Sequence, residues 1–150
     1  MICDSNLRIS EESNIVKTAR EIPTIIATIS KDQEKIAKLE QKGCKILKTS
    51  EQDGKVNVKE VLKQLRNMEI DSVLVEGGGA IHGSFLTSGL VQKVYCYIAP
   101  KMIGGKDALS PVLGKGIEKM SDAVEITDVT VQNFGSDICV SGHVKQKKEG

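Results

Sequence analysis

Short β-branched and aliphatic runs alternate along this chain with stretches whose apolar residues recur at helical spacing. That alternation predicts right-handed crossovers and a mainly parallel sheet. Pro23–Ile29 opens with a proline, which suits the first position of a strand because no ladder donor is lost there, and it predicts a buried strand. Ser30 with Gln33 has capping-box spacing, Ile36 and Leu39 follow at helical spacing, and Gly43 supplies a stop, so a helix fills that stretch. Cys44–Lys48 predicts a second strand, broken by a polar turn at Asp53-Gly54. Asn57, with Glu60 at the capping position, opens the next helix, and Val58, Val61, Leu62 and Leu65 form a stripe that lays one face against a sheet. Ser72–Val75 predicts a third strand, followed at once by Glu76-Gly77-Gly78-Gly79 and a helix running through Phe85 and Leu86 to Gly89.

The pattern changes in the last third. Val94–Ile98 predicts a strand stopped by Pro100, and a Gly- and Lys-rich loop runs through Gly104-Gly105 to Gly116. Two further strands, Val124–Val131 and Ile138–Val144, flank the turn Gly135-Ser136-Asp137 and predict a terminal antiparallel hairpin. His143 falls in the alternating terminal strand and reads as structural, and Gln146–Gly150 reads as a polar tail after a domain spanning residues 1–145.

Composition narrows the classes of function. At 150 residues, one domain with its own core is the expectation. Hydrophobic residues at 39% and charged residues at 27% argue against both a disordered chain and a membrane-spanning one. A formal charge of +1 offers no electrostatic reason to expect nucleic acid or an anionic membrane, so any anion site must be local. With 3% aromatic residues and no Trp, a base-stacking platform is disfavoured. Cys3, Cys44, Cys96 and Cys139 lie far apart with no His at ligand spacing, so no metal site is expected and all four read as buried small hydrophobes. Met1-Ile2-Cys3-Asp4 carries no secretory signal pattern, which places the expected location in a reducing cytoplasm.

The strongest chemical signal is the junction of the third predicted strand with its helix. Gly77, Gly78 and Gly79 remove every Cβ from a turn, so backbone N–H groups can approach a ligand closely, and the helix that follows adds unsatisfied amides and the positive end of its dipole. A phosphate or pyrophosphate fits that position physically. The spacing matches neither the G-x-G-x-x-G dinucleotide fingerprint nor the P-loop, and a merely tight strand-to-helix turn is the competing reading.

Val75-Glu76-Gly77-Gly78-Gly79-Ala80-Ile81-His82-Gly83-Ser84-Phe85-Leu86, then Gly89-Leu90-Val91, then Tyr97-Ile98-Ala99-Pro100-Lys101-Met102-Ile103-Gly104-Gly105 resembles the reductase domain of the bifunctional riboflavin-biosynthesis deaminase/reductase. Asp4-Ser5-Asn6-Leu7-Arg8-Ile9 is similar to that family's Asp-Ser-x-x-Arg segment, so the resemblance covers nearly the whole chain. It implies a dihydrofolate-reductase-like, three-layer α/β/α fold. The implied activity is NADPH-dependent reduction of the ribosyl group of 5-amino-6-(5-phosphoribosylamino)uracil to a ribityl chain. It further implies that Gly78, Gly79, Ala80, Ile81, His82, Gly83 and Ser84 hold the cofactor pyrophosphate, that Glu76 contacts substrate, and that Ser5 and Arg8 lie near the cofactor 2′-phosphate. A guanidinium is apt there, because its planar fork matches phosphate oxygens. Against these stand plainer readings: Glu76 as a charge complementing the helix dipole, His82 as a surface histidine contributing only its amide, and Arg8 as a solvated charge. Lys101 stays open between a structural place and one near the site. No general acid is evident.

In the family the reductase domain begins well before the Asp-Ser-x-x-Arg segment, and no His-x-Glu followed by Pro-Cys-x-x-Cys marks a zinc deaminase here, so the chain reads as a reductase fragment lacking N-terminal elements, with the deaminase domain in the parent chain. The sheet edge or face so uncovered predicts a homodimer. Two alternatives are kept: a non-catalytic nucleotide-binding or dimerisation module, and a dihydrofolate-reductase relative with another substrate.

Overall fold

A computed structural model describes Met1–Gln146, and in it the chain divides into two compact units, one covering Met1–Val73 and one starting at Leu74. The predicted tail beyond Gln146 lies outside the described residues. Gln146 itself donates from Nε2 to the Val91 carbonyl at 3.1 Å.

The first unit is built on a parallel sheet of β1 (Ile2–Cys3), β2 (Ile25–Thr28) and β3 (Lys45–Lys48), in that order. Ile26 pairs with Ile2 on one side and Ile46 on the other, and Ala27 with Cys3 and Leu47. Successive strand residues point to opposite faces, so the adjacent, fully buried Ile26 and Ala27 feed two different cores. Ile26 packs with Leu7, Val16, Ala19, Ile36, Leu39 and Cys44, drawing in the one-turn helix α1 (Asn14–Lys17) and α2 (Gln33–Gln41). Ala27 packs with Leu47, Val56, Val61 and Leu65, drawing in α3 (Val58–Arg66). Helices thus cover both faces of the sheet, the layering the sequence predicts. The stripe on α3 is confirmed, with Val58, Val61 and Leu65 buried and Leu62 half-buried.

Local details differ from expectation where hydrogen bonds decide between neighbouring polar residues. The N-cap of α2 is Asp32 rather than Ser30, because the Asp32 carboxylate reaches the Lys35 amide at 3.0 Å while Ser30 Oγ caps only the Asp32 amide. Asn57 does cap α3, accepting from the Lys59 and Glu60 amides, but Glu60 does not return the bond. Its carboxylate takes the Ser50 amide at 2.7 Å and the Ser50 hydroxyl at 2.6 Å, tying α3 to the loop after β3. The predicted Asp53-Gly54 turn closes a small hairpin of β4 (Glu51–Gln52) and β5 (Lys55–Val56), both turn residues having positive φ. Neither β1 nor α1 was expected from pattern, both being too short to show a period.

The Ser50 bonds hold the Glu60 carboxyl below the ordinary glutamate range. A lowered folded-state value means that this contribution is complete above the unfolded-state value and is lost as pH falls through the folded one. Glu60→Gln is therefore expected to flatten the loss of stability below about pH 4, read as a smaller drop in urea midpoint between neutral and acid pH than the parent shows.

The second unit contains α4 (Gly79–Ser88) and an antiparallel sheet of β6 (Lys93–Ile98), β7 (Ile126–Phe134) and β8 (Asp137–Val144), ordered β6-β8-β7. The predicted terminal hairpin is present. Its first strand is shifted from Val124–Val131 to Ile126–Phe134 because the ladder continues to the Phe134–Asp137 pair around a two-residue loop with Gly135 at φ 61°. The expected strand Ser72–Val75 forms no ladder among the described residues: it straddles the boundary between the units, and Leu74 is 75% exposed. A strand exists only by pairing, and an apolar run alone does not supply the partner. Cys44 and Cys139 are buried as expected and Cys3 is half-buried, whereas Cys96 is exposed because little of β6 is covered. Burial pushes the Cys3 and Cys44 thiols up. His143 sits in β8, its Nδ1 3.6 Å from the Asp128 carboxylate at a bulge. Among the described residues no helix is long and apolar enough to cross a membrane, and no cluster of His, Cys, Asp or Glu could hold a metal ion.

Candidate active site

The glycine turn leads directly into α4, and its three glycines answer to different demands. Gly77 has φ 154°, a conformation L side chains rarely adopt, and a Cβ there would lie 2.7 Å from Ile81 Cγ2. Gly78, the N-cap, has an ordinary extended conformation (φ −85°, ψ 166°), and a Cβ there would meet nothing within 4 Å among the described residues. Gly79 is buried, with the Ser110 carbonyl oxygen 2.4 Å from where its Cβ would be. Of the three, only Gly78 is left without a side chain by neither backbone nor packing.

The sequence caps α2 with Asp32 and α3 with Asn57, but no side chain caps α4. The Ile81 and His82 amides bond to the Gly78 carbonyl at 3.1 and 3.3 Å. Gly79 and Ala80, the first two residues of the helix, come before its first bonded amide and so carry N–H groups with no intrahelical acceptor, Gly79 buried and Gly78 and Ala80 exposed on either side of it. An anion at this corner would meet two amides, the positive end of the helix dipole and open space in front of Gly78.

Gly83, Ser84, Glu76 and His82 lie in α4 or just before it, with distinct commitments. Gly83 is buried one turn further along the same face as Gly79. Ser84 is half-buried and its hydroxyl donates back to the Ala80 carbonyl at 3.0 Å. Glu76 is exposed immediately before the turn. His82 is half-buried, and its Nδ1 lies 2.9 Å from the Pro111 carbonyl. Lys101 is exposed just past β6, its amide donating to Ala99.

Ser5 and Arg8 belong to the first unit. They lie on a turn after β1 in which the Asp4 carboxylate accepts the Ile9 amide at 2.8 Å and buried Leu7 takes φ 50°. Ser5 is anchored through its carbonyl, which accepts from the Thr28 hydroxyl at 2.9 Å, and through its Oγ, which accepts from the Val56 amide at 3.1 Å. That hydroxyl still has a hydrogen to donate. Arg8 is exposed.

Sequence reasoning missed one part of the corner, the segment Ser110–Leu113 from the loop between β6 and β7. Leu113 donates its amide to the Gly79 carbonyl at 2.9 Å. The signal was available: glycines at i and i+4 on one helix face mark a close backbone approach.

Comparisons with known proteins match this fold. The family model described as the RibD C-terminal domain matches residues 1–140. The riboflavin biosynthesis protein RibD of Actinobacillus pleuropneumoniae is 40% identical over 138 residues, covering 92% of this chain and 37% of that protein. The 2,5-diamino-6-ribosylamino-4(3H)-pyrimidinone 5′-phosphate reductase of Methanothermobacter thermautotrophicus is 33% identical over 126 residues, covering 83% of this chain and 57% of its own length. The chain spans about two fifths of the length of the RibD proteins of Actinobacillus pleuropneumoniae and Bacillus amyloliquefaciens. Among solved structures, RibD of Acinetobacter baumannii (form 2) superposes with TM-score 0.76 at 20% identity over 96% of this chain and 36% of that one. A pyrimidine reductase-like protein of Corynebacterium diphtheriae gives 0.69 at 19% over 97% and 60%.

Proposed function

This chain belongs to the RibD C-terminal domain family, and from that premise we propose that it is the reductase part of a riboflavin-biosynthesis enzyme. In this reading it uses NADPH to reduce the ribosyl group of 5-amino-6-(5-phosphoribosylamino)uracil to the ribityl product. The observation that carries the proposal is the uncapped start of α4 behind an open Gly78, a corner whose donors and space suit a diphosphate. Gly78 and Ala80 supply the exposed edge of that corner, the buried Gly79 lies between them with its amide free of an intrahelical bond, and Ile81, His82, Gly83 and Ser84 form the turn that supports it.

Ser5 and Arg8 are proposed for the cofactor 2′-phosphate, and Glu76 for a substrate hydroxyl. The bound cofactor supplies the hydride. The chain's own contribution is to bind and orient, since holding reactants in a reactive geometry removes much of the barrier to transfer. A deaminase domain in the parent protein, a cytoplasmic location and a homodimer complete the reading. The dimer is supported by Ile98, Val131 and Ile138, which lie on one face of the antiparallel sheet and are each at least 40% exposed.

The test is to add the pyrimidine ribosyl phosphate to the full chain with NADPH or NADH and follow loss of cofactor absorbance. Substrate-dependent oxidation with a preference for NADPH is expected. Cofactor binding without turnover would favour a non-catalytic nucleotide-binding module, and no binding of either dinucleotide would end the proposal.

A further inference from the structure

We propose that Ser110–Leu113 is a positioning strap that braces the first turn of α4, so that the backbone amide of Leu113 and the backbone carbonyl of Pro111 govern cofactor affinity without touching the cofactor. The inference rests on the functional reading above and adds to it a segment outside the predicted set. Residues 99–125 join β6 to β7 as an exposed connection, and one short stretch of it is engaged with the helix. The Leu113 amide donates to the Gly79 carbonyl at 2.9 Å, and His82 Nδ1 lies 2.9 Å from the Pro111 carbonyl. A carbonyl oxygen only accepts, so Nδ1 must carry the hydrogen and the ring tautomer is set by the strap. The stretch is itself shaped by Ser110, whose hydroxyl donates to the Val112 carbonyl at 2.9 Å.

Backbone contact on the helix side is closer than any side chain allows. A Cβ on Gly83 would lie 1.7 Å from the Leu113 carbonyl oxygen, and one on Gly79 would lie 2.8 Å from Leu113 Cγ. These contacts fall within the first five residues of α4 and on one face. Gly79 and Gly83 are buried there, while Gly78 and Ala80 stay exposed. The strap therefore holds the turn from one side and leaves the other open. Donors fixed before binding cost less to order when an anion arrives, so a braced corner binds more tightly than a loose one.

The test compares two variants of the full chain. Leu113→Pro removes the amide that bonds Gly79, whereas Leu113→Ala retains it; both changes lie in an exposed loop. Leu113→Pro is expected to raise the KM for NADPH at least about tenfold with kcat at saturation within about threefold, and to speed tryptic cleavage at Lys106, while Leu113→Ala stays within about threefold of the parent in KM. Parent-like NADPH affinity in a Leu113→Pro protein whose loop is cleaved faster overturns the strap and leaves the functional reading standing. Tighter binding in that variant would make the segment an obstruction and likewise overturn it. A parent chain with no NADPH affinity overturns the functional reading, and the strap with it.

Discussion

Gly78→Asp is expected to fold as well as the parent and to lose NADPH affinity by at least about 100-fold, equivalent to roughly 2.7 kcal/mol. The two halves of that result have separate causes. Gly78 has φ −85° and ψ 166°, and nothing among the described residues lies within 4 Å of where its Cβ would be, so an aspartate fits without strain or clash. Aspartate is moreover a favoured N-cap, and replacing glycine there contributes a few tenths of a kcal/mol to stability. The same carboxylate would bond to the amides of the first turn and set a negative charge against the diphosphate. A thermal melt at or above the parent's midpoint, together with a calorimetric titration showing the affinity loss, is the predicted pair. Unchanged affinity in the folded variant would remove the pyrophosphate from this corner.

A second substitution, Gly83→Ala, inverts the usual sign of a helix-propensity change. In the interior of a helix alanine is ordinarily favoured over glycine by about 1 kcal/mol. Here the added methyl would lie 1.7 Å from the Leu113 carbonyl oxygen, which is backbone and cannot rotate away as a side chain could. Either the Ser110–Leu113 segment lifts off or α4 shifts, and overpacking of this kind costs about 1–3 kcal/mol. Urea unfolding should show a lowered midpoint for Gly83→Ala. A raised midpoint, the outcome propensity alone predicts, would mean that the helix and the loop do not meet as described.

Much of the fold was legible because it depends on period and punctuation. The stripe Val58, Val61, Leu65 placed α3 against the sheet, and the run Ile25–Thr28 became the buried central strand of the parallel sheet. Gly135 marked the turn of the terminal hairpin. What was misplaced is where several polar residues compete for one bond. Asp32 rather than Ser30 caps α2, and Glu60 bonds Ser50 rather than closing a box with Asn57. Linear spacing ranks such candidates by residue type, whereas the outcome turns on tenths of an ångström in the folded chain.

The candidate site divides along the same line. Three glycines at the start of a helix are visible in one dimension, as is the absence of Ser, Thr, Asp or Asn where a cap would stand, because both depend on residues adjacent in the chain. That order of residues determined the alternation of strands and helices, the layering about β2 and the place of the glycine corner. Only the tertiary structure decided that Gly79 and Gly83 are occupied by a loop about thirty residues further on while Gly78 faces open space. It decided too that His82 is held by Pro111 and that Ser72–Val75 finds no ladder partner among the described residues. Local structure follows from nearest-neighbour sterics and hydrogen bonds, whereas which backbone a glycine admits depends on segments that meet only once the chain has closed on itself.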